Sequence, residues 1–308
     1  MMRRFLAVLA VLCMSSVAMF GCATTKTASD VAAIGVKAKA GDAAAADALV
    51  EMLRSRDKAV RDAAYESLTE AGAPAVPRLI AALEDNDPNI REYAAGALGN
   101  IGDERAVEPL MDMLRTAHVR RYVAAWALGE VNAAGAVDLL IETMGEPNDA
   151  LQKESARALI KIGDKSVPAL IKALESPVPD RRKYACRALG VIQDHRAEAR
   201  LIARLKDEDG DVVSAAALAL GTAGTKESVT PLIDALNHGN MTTRVNASIA
   251  LGQLDAKDAV GPLEKIMESD TDPYVREWSA RALENITGNR YKYKNENGDM
   301  VYPYNLYR

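Results

Sequence analysis

Apolar residues recur along the chain in two alternating blocks. In one block a small residue and a leucine, usually Ala-Leu-Gly, return at Leu68, Leu98, Leu128, Leu159, Leu189, Leu220, Leu251 and Leu283, at intervals of 30, 30, 31, 30, 31, 31 and 32 residues. In the other, apolar residues four apart recur as Leu79/Leu83, Leu110/Leu114, Leu140/Met144, Leu170/Leu174, Leu201/Leu205, Leu232/Leu236 and Leu263/Met267. Spacing by four puts both side chains on one face of a helix. Each period therefore predicts two helices. A fixed period of this length predicts an all-α solenoid, in which each unit buries its apolar face only against its neighbours. The pattern supports about eight helix pairs over residues 43–288.

Polar residues punctuate both helices. Seven residues before the marker leucine stand Arg61, Arg91, Arg121, Arg182, Arg244 and Arg276, with Gln152 and Val213 as exceptions. Asp57, Asp87, Asn148, Asp209, Asn240 and Asp272 precede them and are placed to accept the free amides of a helix start. A ladder of these charges between neighbouring repeats is the expected use of the arginines; the same column also fits a phosphate-binding stripe. Pro77, Pro109, Pro168, Pro231 and Pro262 fall near the start of the second helix, where a missing amide costs nothing. Gly72, Gly102 and Gly163 end the preceding helix, where a left-handed residue is needed.

Composition agrees with this reading. Phe and Trp number 2 each, while alanine fills the periodic segments, which suits close helix packing better than a thick globular core. Cys186 occupies a slot filled by Ala95, Ala125, Ala156, Ala217 and Ala280 in other repeats, so a small buried residue is expected there.

The first residues form an export signal. Arg3 and Arg4 precede an apolar run from Phe5 to Phe20, and no acid appears before Asp30. The segment closes as Ala18-Met19-Phe20-Gly21-Cys22, which resembles the lipobox of bacterial lipoproteins. Gly21 and Cys22 fit that pattern; Met19 and Phe20 depart from its usual residues. The resemblance implies a signal peptide over 1–21, lipid attachment at Cys22 and, with Ala23 after it, an outer-membrane lipoprotein facing the periplasm. Cleavage after Ala23 to give a soluble periplasmic protein is the alternative, and an uncleaved anchor is the third reading. Residues 22–42 read as a tether and a degenerate N-terminal cap.

The succession of Asp or Asn, Val-Arg, Ala-Ala, Ala-Leu-Gly, Ile-Gly-Asp and Val-Pro-Leu, seen in 87–110 and again in 272–283, resembles the HEAT-like repeats of the phycobilisome-lyase type. That family includes phycobilin lyases, a di-iron deoxyhypusine hydroxylase and many scaffolds. The resemblance implies a right-handed superhelix whose second helices line the concave side. On that reading the groove carries Ala81, Asp112, Glu142, Lys172, Ala203, Asp234 and Lys265, with alternating signs.

Both enzymatic members can be tested on residues. The hydroxylases carry repeated His-Glu pairs, because a di-iron centre needs imidazole and carboxylate ligands from several helices. Here His118, His195 and His238 are followed by Val119, Arg196 and Gly239, so no metal is expected and each histidine reads as a solvated loop residue. A bilin lyase would have to work in a compartment that the export signal leaves. Loss of Arg3 and Arg4 with the signal takes the formal net charge from −5 to −7, and the mixed groove suits a protein or peptide better than nucleic acid.

Five of ten tyrosines, Tyr291, Tyr293, Tyr302, Tyr304 and Tyr307, fall in 289–308, around an Asn297-Gly298 hairpin signal. This tail reads as a cap on the last helix pair, or as an aromatic docking patch for a partner or cell-wall glycan. Trp126 and Trp278 fit exposed or half-buried positions equally.

The sequence thus leads to a non-enzymatic scaffold at the cell envelope, without cofactor. It is tied to the membrane by lipid on Cys22 and binds an unidentified protein or peptide through Asp112, Glu142, Lys172, Asp234 and Lys265, with Tyr302 and Tyr304 in the tail. A bilin-lyase-like or di-iron-hydroxylase-like enzyme is the alternative.

Overall fold

A computed structural model describes residues 28–117 and 120–304. Among these residues helices alternate as first and second members of pairs: α1 (Ala28–Lys39) with α2 (Ala43–Met52), α3 (Lys58–Ala71) with α4 (Val76–Ala82), and α5 (Pro88–Ile101) with α6 (Val107–Thr116). Next come α7 (Arg121–Glu130) with α8 (Val137–Thr143), α9 (Asp149–Ile162) with α10 (Val167–Ala173), and α11 (Pro179–Ile192) with α12 (Glu198–Arg204). The series ends with α13 (Gly210–Ala223) and α14 (Val229–Ala235), α15 (Met241–Gln253) and α16 (Val260–Ser269), and the unpaired α17 (Pro273–Thr287). The all-α solenoid read from the period is the fold. Ala28–Lys39 and Ala43–Met52 form a further pair, α1 packing on α3 as any first helix packs on the next.

The eight marker leucines and the leading leucine of each second helix from Leu79 to Leu263 are all 0% exposed, and one continuous apolar core runs the length of the stack. Cys186 is buried within it. Asp57, Asp87, Asn148, Asp209, Asn240 and Asp272 each accept a backbone amide of the first turn of the following helix. Each such cap contributes about 1 kcal/mol. Gly72, Gly102 and Gly163 end their helices at φ of 66°, 73° and 67°. Six of the second helices begin with a short 3₁₀ turn that periodicity did not distinguish from the helix itself.

After Gly288 the chain forms a small antiparallel hairpin, β1 (Tyr293–Lys294) with β2 (Met300–Val301), Tyr293 opposite Val301 and Lys294 opposite Met300. Gly298 turns it at φ 89°. Tyr293 is buried against the end of the stack, the place a further second helix would occupy.

Candidate functional site

The two rows of helices are not equally spaced. A Cβ built on Gly129 would lie 2.7 Å from the Cα of Ala158, on Gly190 2.7 Å from that of Ala219, on Gly221 2.8 Å from that of Ala250, and on Gly252 3.1 Å from that of Ala282. At these four junctions successive first helices therefore touch backbone to backbone, as small facing residues allow. The second helices stand apart. Clefts of about 450 and 580 Å³ open between α4 and α6 and between α8 and α10, while in the first-helix row a cleft of about 460 Å³ lies at the N-terminal end, between α1 and α3. When one row of a two-row stack is tighter, the stack bends toward it, so the first helices form the inner wall. This corrects the assignment of the second helices to the concave side: the Gly-Ala contacts, not the resemblance, decide which row is inside.

Asp112, Glu142, Lys172, Asp234 and Lys265 are all exposed on the outer row. Glu142 and Lys172 line the same cleft between α8 and α10, with Arg181 at its edge, while Asp112 lines the cleft between α4 and α6. The tail tyrosines are elsewhere. Tyr302 lies at the hairpin with the Arg290 guanidinium 4.4 Å and the Lys292 ammonium 5.2 Å from its ring centre; Tyr304 is 76% exposed. Cys22, the 1–21 segment, His118 and Tyr307 lie outside the described residues. No helix among the described residues is long and apolar enough to cross a membrane.

The arginine column is consumed by the fold. Arg61, Arg91, Arg182, Arg244 and Arg276 each donate to the carbonyl six residues upstream, in the loop that precedes their own helix. Gln152 makes the same bond to Glu146. The other arm of the fork reaches the next repeat: Arg121 to Glu146 at 2.9 Å, Arg182 to Asp207 at 2.7 Å, and Arg244 to Asp270 at 2.7 and 3.0 Å. Burial alone would push the carboxyls of Asp207 and Asp270 up; the arginine hydrogen bonds, the amides of Asp209 and Asp272 and the nearby positive charges outweigh it and hold both below the ordinary range. Arg121, Arg182 and Arg244 are thus ladder rungs, and Arg61, Arg91 and Arg276 are held by backbone carbonyls, so the column is not a free anion-binding stripe.

Other reactive groups are likewise held in structural roles. Burial pushes the Cys186 thiol up to about 12, too high for a nucleophile at neutral pH. His195 and His238 both meet backbone groups, Nδ1 of His195 lying 3.0 Å from the Ala223 carbonyl of the next repeat and Nδ1 of His238 accepting the Asn240 amide. Among the described residues no group of three or more His, Cys, Asp and Glu side chains is gathered to hold a metal ion.

The surface left for recognition is the inner wall. Two residues before each marker leucine, the first helices present Glu66, Gly96, Trp126, Arg157, Arg187, Leu218, Ile249 and Arg281 in a row. Glu66, Arg157, Arg187 and Leu218 are exposed, and Trp126, Ile249 and Arg281 are half-buried. Sequence reasoning missed this row because it placed the groove on the other helices. The signal was present in the glycine that follows five of the eight marker leucines, at Gly99, Gly129, Gly190, Gly221 and Gly252, and marks the close-packed row.

The profile of the HEAT-repeat family matches residues 46–129, 119–190, 167–240 and 229–292. The chain is 30% identical over 211 residues to a phycocyanobilin lyase subunit alpha of Nostoc sp., covering 65% of this chain and 68% of that one. It is 28% identical over 196 residues to a deoxyhypusine hydroxylase of Arabidopsis thaliana, covering 61% and 62%. The chain thus spans about two-thirds or less of these relatives' length. A crystal structure of importin beta superposes with a TM-score of 0.59 at 15% identity, over 84% of this chain and 44% of that one, which shows the shared fold alone. The expectation that the chain is not an enzyme is overturned here: its similar sequences are named as a lyase subunit and a hydroxylase.

Proposed function

The chain belongs to the HEAT-repeat family, and from that premise we propose that it works by holding a protein against its inner wall, at the cell envelope, tied there by lipid on Cys22. The observation that carries the reading is the close-packed first-helix row. Its backbone contacts at Gly129, Gly190, Gly221 and Gly252 make a rigid, pre-formed surface with large exposed apolar residues such as Leu218 and Val191 on it. A rigid curved surface loses little entropy when a ligand docks. The envelope address is supported by the basic, apolar and Gly-Cys layout of residues 1–22.

A photo-crosslinking amino acid at position 218, in the full chain in its own cells, gives a discrete protein adduct on this reading. The same group at position 265, on the outer row, does not. Equal labelling at both positions, or none at 218, overturns it. For the anchor, a Cys22→Ser variant leaves the membrane fraction; one that still sediments with membranes removes the lipid from the account.

The likeness to a lyase subunit supports a second reading, in which the held protein is a substrate and the chain is one subunit of a lyase-type enzyme. Phycocyanobilin added to the purified chain would then change its absorbance spectrum. An unchanged spectrum sinks that reading for the bilin named in the relative.

A further inference from the structure

The inner wall changes character along its length. At the N-terminal end Asp62, Glu66 and Glu70 of α3 make it acidic. In the middle, the row runs Trp126, Arg157, Arg187, Leu218 and Ile249, one residue from each of five successive first helices, with Val191 beside it. Leu218 is 42% and Val191 60% exposed, and Trp126 and Ile249 beside them are half-buried. The Arg157 side chain is 70% exposed and pairs with Glu154 of its own helix. Arg187 is exposed and lies 5.5 Å from the ring centre of Tyr184, with no carboxylate among its described contacts. Two cations next to each other, flanked by an aromatic ring on one side and two aliphatic residues on the other, form a patterned surface.

Spacing sets the form of what fits. Packed helices stand about 8–10 Å apart. A polyproline-II segment has three residues per turn and rises about 3.1 Å per residue, so every third side chain returns to the same side after about 9 Å. That period matches one side chain per first helix where glycine closes the junction, as at Gly129, Gly190 and Gly221; the junction between α9 and α11, with Ile160 in that slot, closes less tightly. A β-strand, with its two-residue alternation, would turn every second contact away from the wall.

We infer that the wall from Trp126 to Ile249 binds an extended segment of another protein carrying two carboxylates three residues apart, with apolar side chains three residues beyond them on either side. This rests on the protein-holding reading above and names the chemistry of what is held. The carboxylates face Arg157 and Arg187. The apolar residues face Trp126 at one end and Leu218 and Ile249 at the other. Arg157 has to share its guanidinium with Glu154, whose side chain is 18% exposed, whereas Arg187 has no such pair to give up. The acidic end of the wall at Glu66 and Glu70 repels such a segment, which confines it to the centre.

The test uses the purified chain and a synthetic 15-residue peptide with Glu at positions 6 and 9, Leu at 3, 12 and 15, and Gly, Ser and Pro elsewhere, read by fluorescence anisotropy. The expected result is saturable binding that weakens at least tenfold with Arg187→Glu and with a Glu-to-Gln peptide. Binding falls as salt rises and is unchanged with Lys265→Glu. No binding by the unaltered chain, or equal binding by Arg187→Glu, overturns the inference. So does a 15-nucleotide single-stranded DNA that binds tighter than the peptide and is lost with Arg187→Glu, since that marks a polyanion site. A silent peptide with a persistent adduct at position 218 sinks only the acidic-segment chemistry. Loss of both sinks the protein-holding reading as well.

Discussion

Arg182 donates to Asp207, 25 residues later and in the next repeat, over 2.7 Å, with the two side chains 5% and 2% exposed. The same guanidinium donates to the Ser176 carbonyl below it, so one side chain ties its own loop to its neighbour's. Removing one partner of a buried pair leaves an uncompensated charge. Arg182→Met is expected to cost about 3 kcal/mol, the lower end of the range for such breaks, because Arg204 still lies 3.2 Å from Asp207. Urea unfolding measures it. Arg200→Ala, which breaks the solvent-exposed pair with Glu175, the two side chains being 57% and 55% exposed, is the control and leaves the midpoint unchanged.

Asp207 and Asp270 also set how acid acts on the fold. Their carboxyls are held below the ordinary 3.8 in the folded chain. A folded state that binds protons more weakly than the unfolded one gains stability that is complete above the ordinary value and is lost as pH falls through the depressed one. These rungs therefore add a pH-independent share from neutrality down to about pH 5 and lose it below about pH 4. A double Asp207→Asn, Asp270→Asn variant starts less stable and falls less steeply in acid. An equally steep fall would remove the rungs as its cause.

The inner row depends on glycine where the helices touch. Gly190→Leu forces a side chain into the 2.7 Å approach to the Ala219 backbone and is expected to cost about 1–3 kcal/mol, as overpacking does. It also spreads α11 from α13 and weakens binding on the inner wall. Gly135→Ala, in a turn with nothing within 4 Å of the new Cβ, leaves the melting temperature unchanged. Equal effects of the two changes would mean that the close row carries no special load.

The period made the helices, their caps and their core legible before any coordinates. The Asp57 and Asp87 caps and the buried column from Leu68 to Leu283 stand where counting puts them. Which row faces inward was not legible from the period, because spacing between rows depends on which small residues face each other. Gly129 against Ala158 and Gly190 against Ala219 decide it, and those pairs are 29 residues apart in sequence. Ile160 and Thr69 stand in the glycine slot of their repeats, and their junctions close less tightly, so the row is not uniform. The proposed site suffered most, since exposed residues such as Asp112 and Lys265 look alike on either row.

Cys186 reports on the same packing. A thiol pushed up to about 12 by burial reacts only when its repeat opens. Peptide-resolved alkylation by iodoacetamide at pH 8 is expected to leave Cys186 unmodified in the native chain and to rise with urea along the unfolding curve. Rapid native labelling would show that the slot is accessible.

The tail closes the ladder. At Arg121, Arg182 and Arg244 the second arm finds a carboxylate in the next repeat, but α17 has no next repeat among the described residues. Arg276 instead donates its Nε to the Lys294 carbonyl at 2.7 Å, from the hairpin that also buries Tyr293. Backbone carbonyls thus stand in for the absent Asp, and the aromatic ring covers the apolar edge that a further second helix would cover. A terminal repeat with one bare face is the weak point of a solenoid. Removing residues 289–308 exposes Tyr293's contacts and strands Arg276, and is expected to cost about 3 kcal/mol, the upper end of the range for burying one large apolar side chain. Tyr302→Ala, which removes only a ring at the surface beside Arg290, leaves the unfolding midpoint unchanged. If truncation leaves the midpoint unchanged too, the hairpin is not a cap, and its tyrosines return as a docking surface.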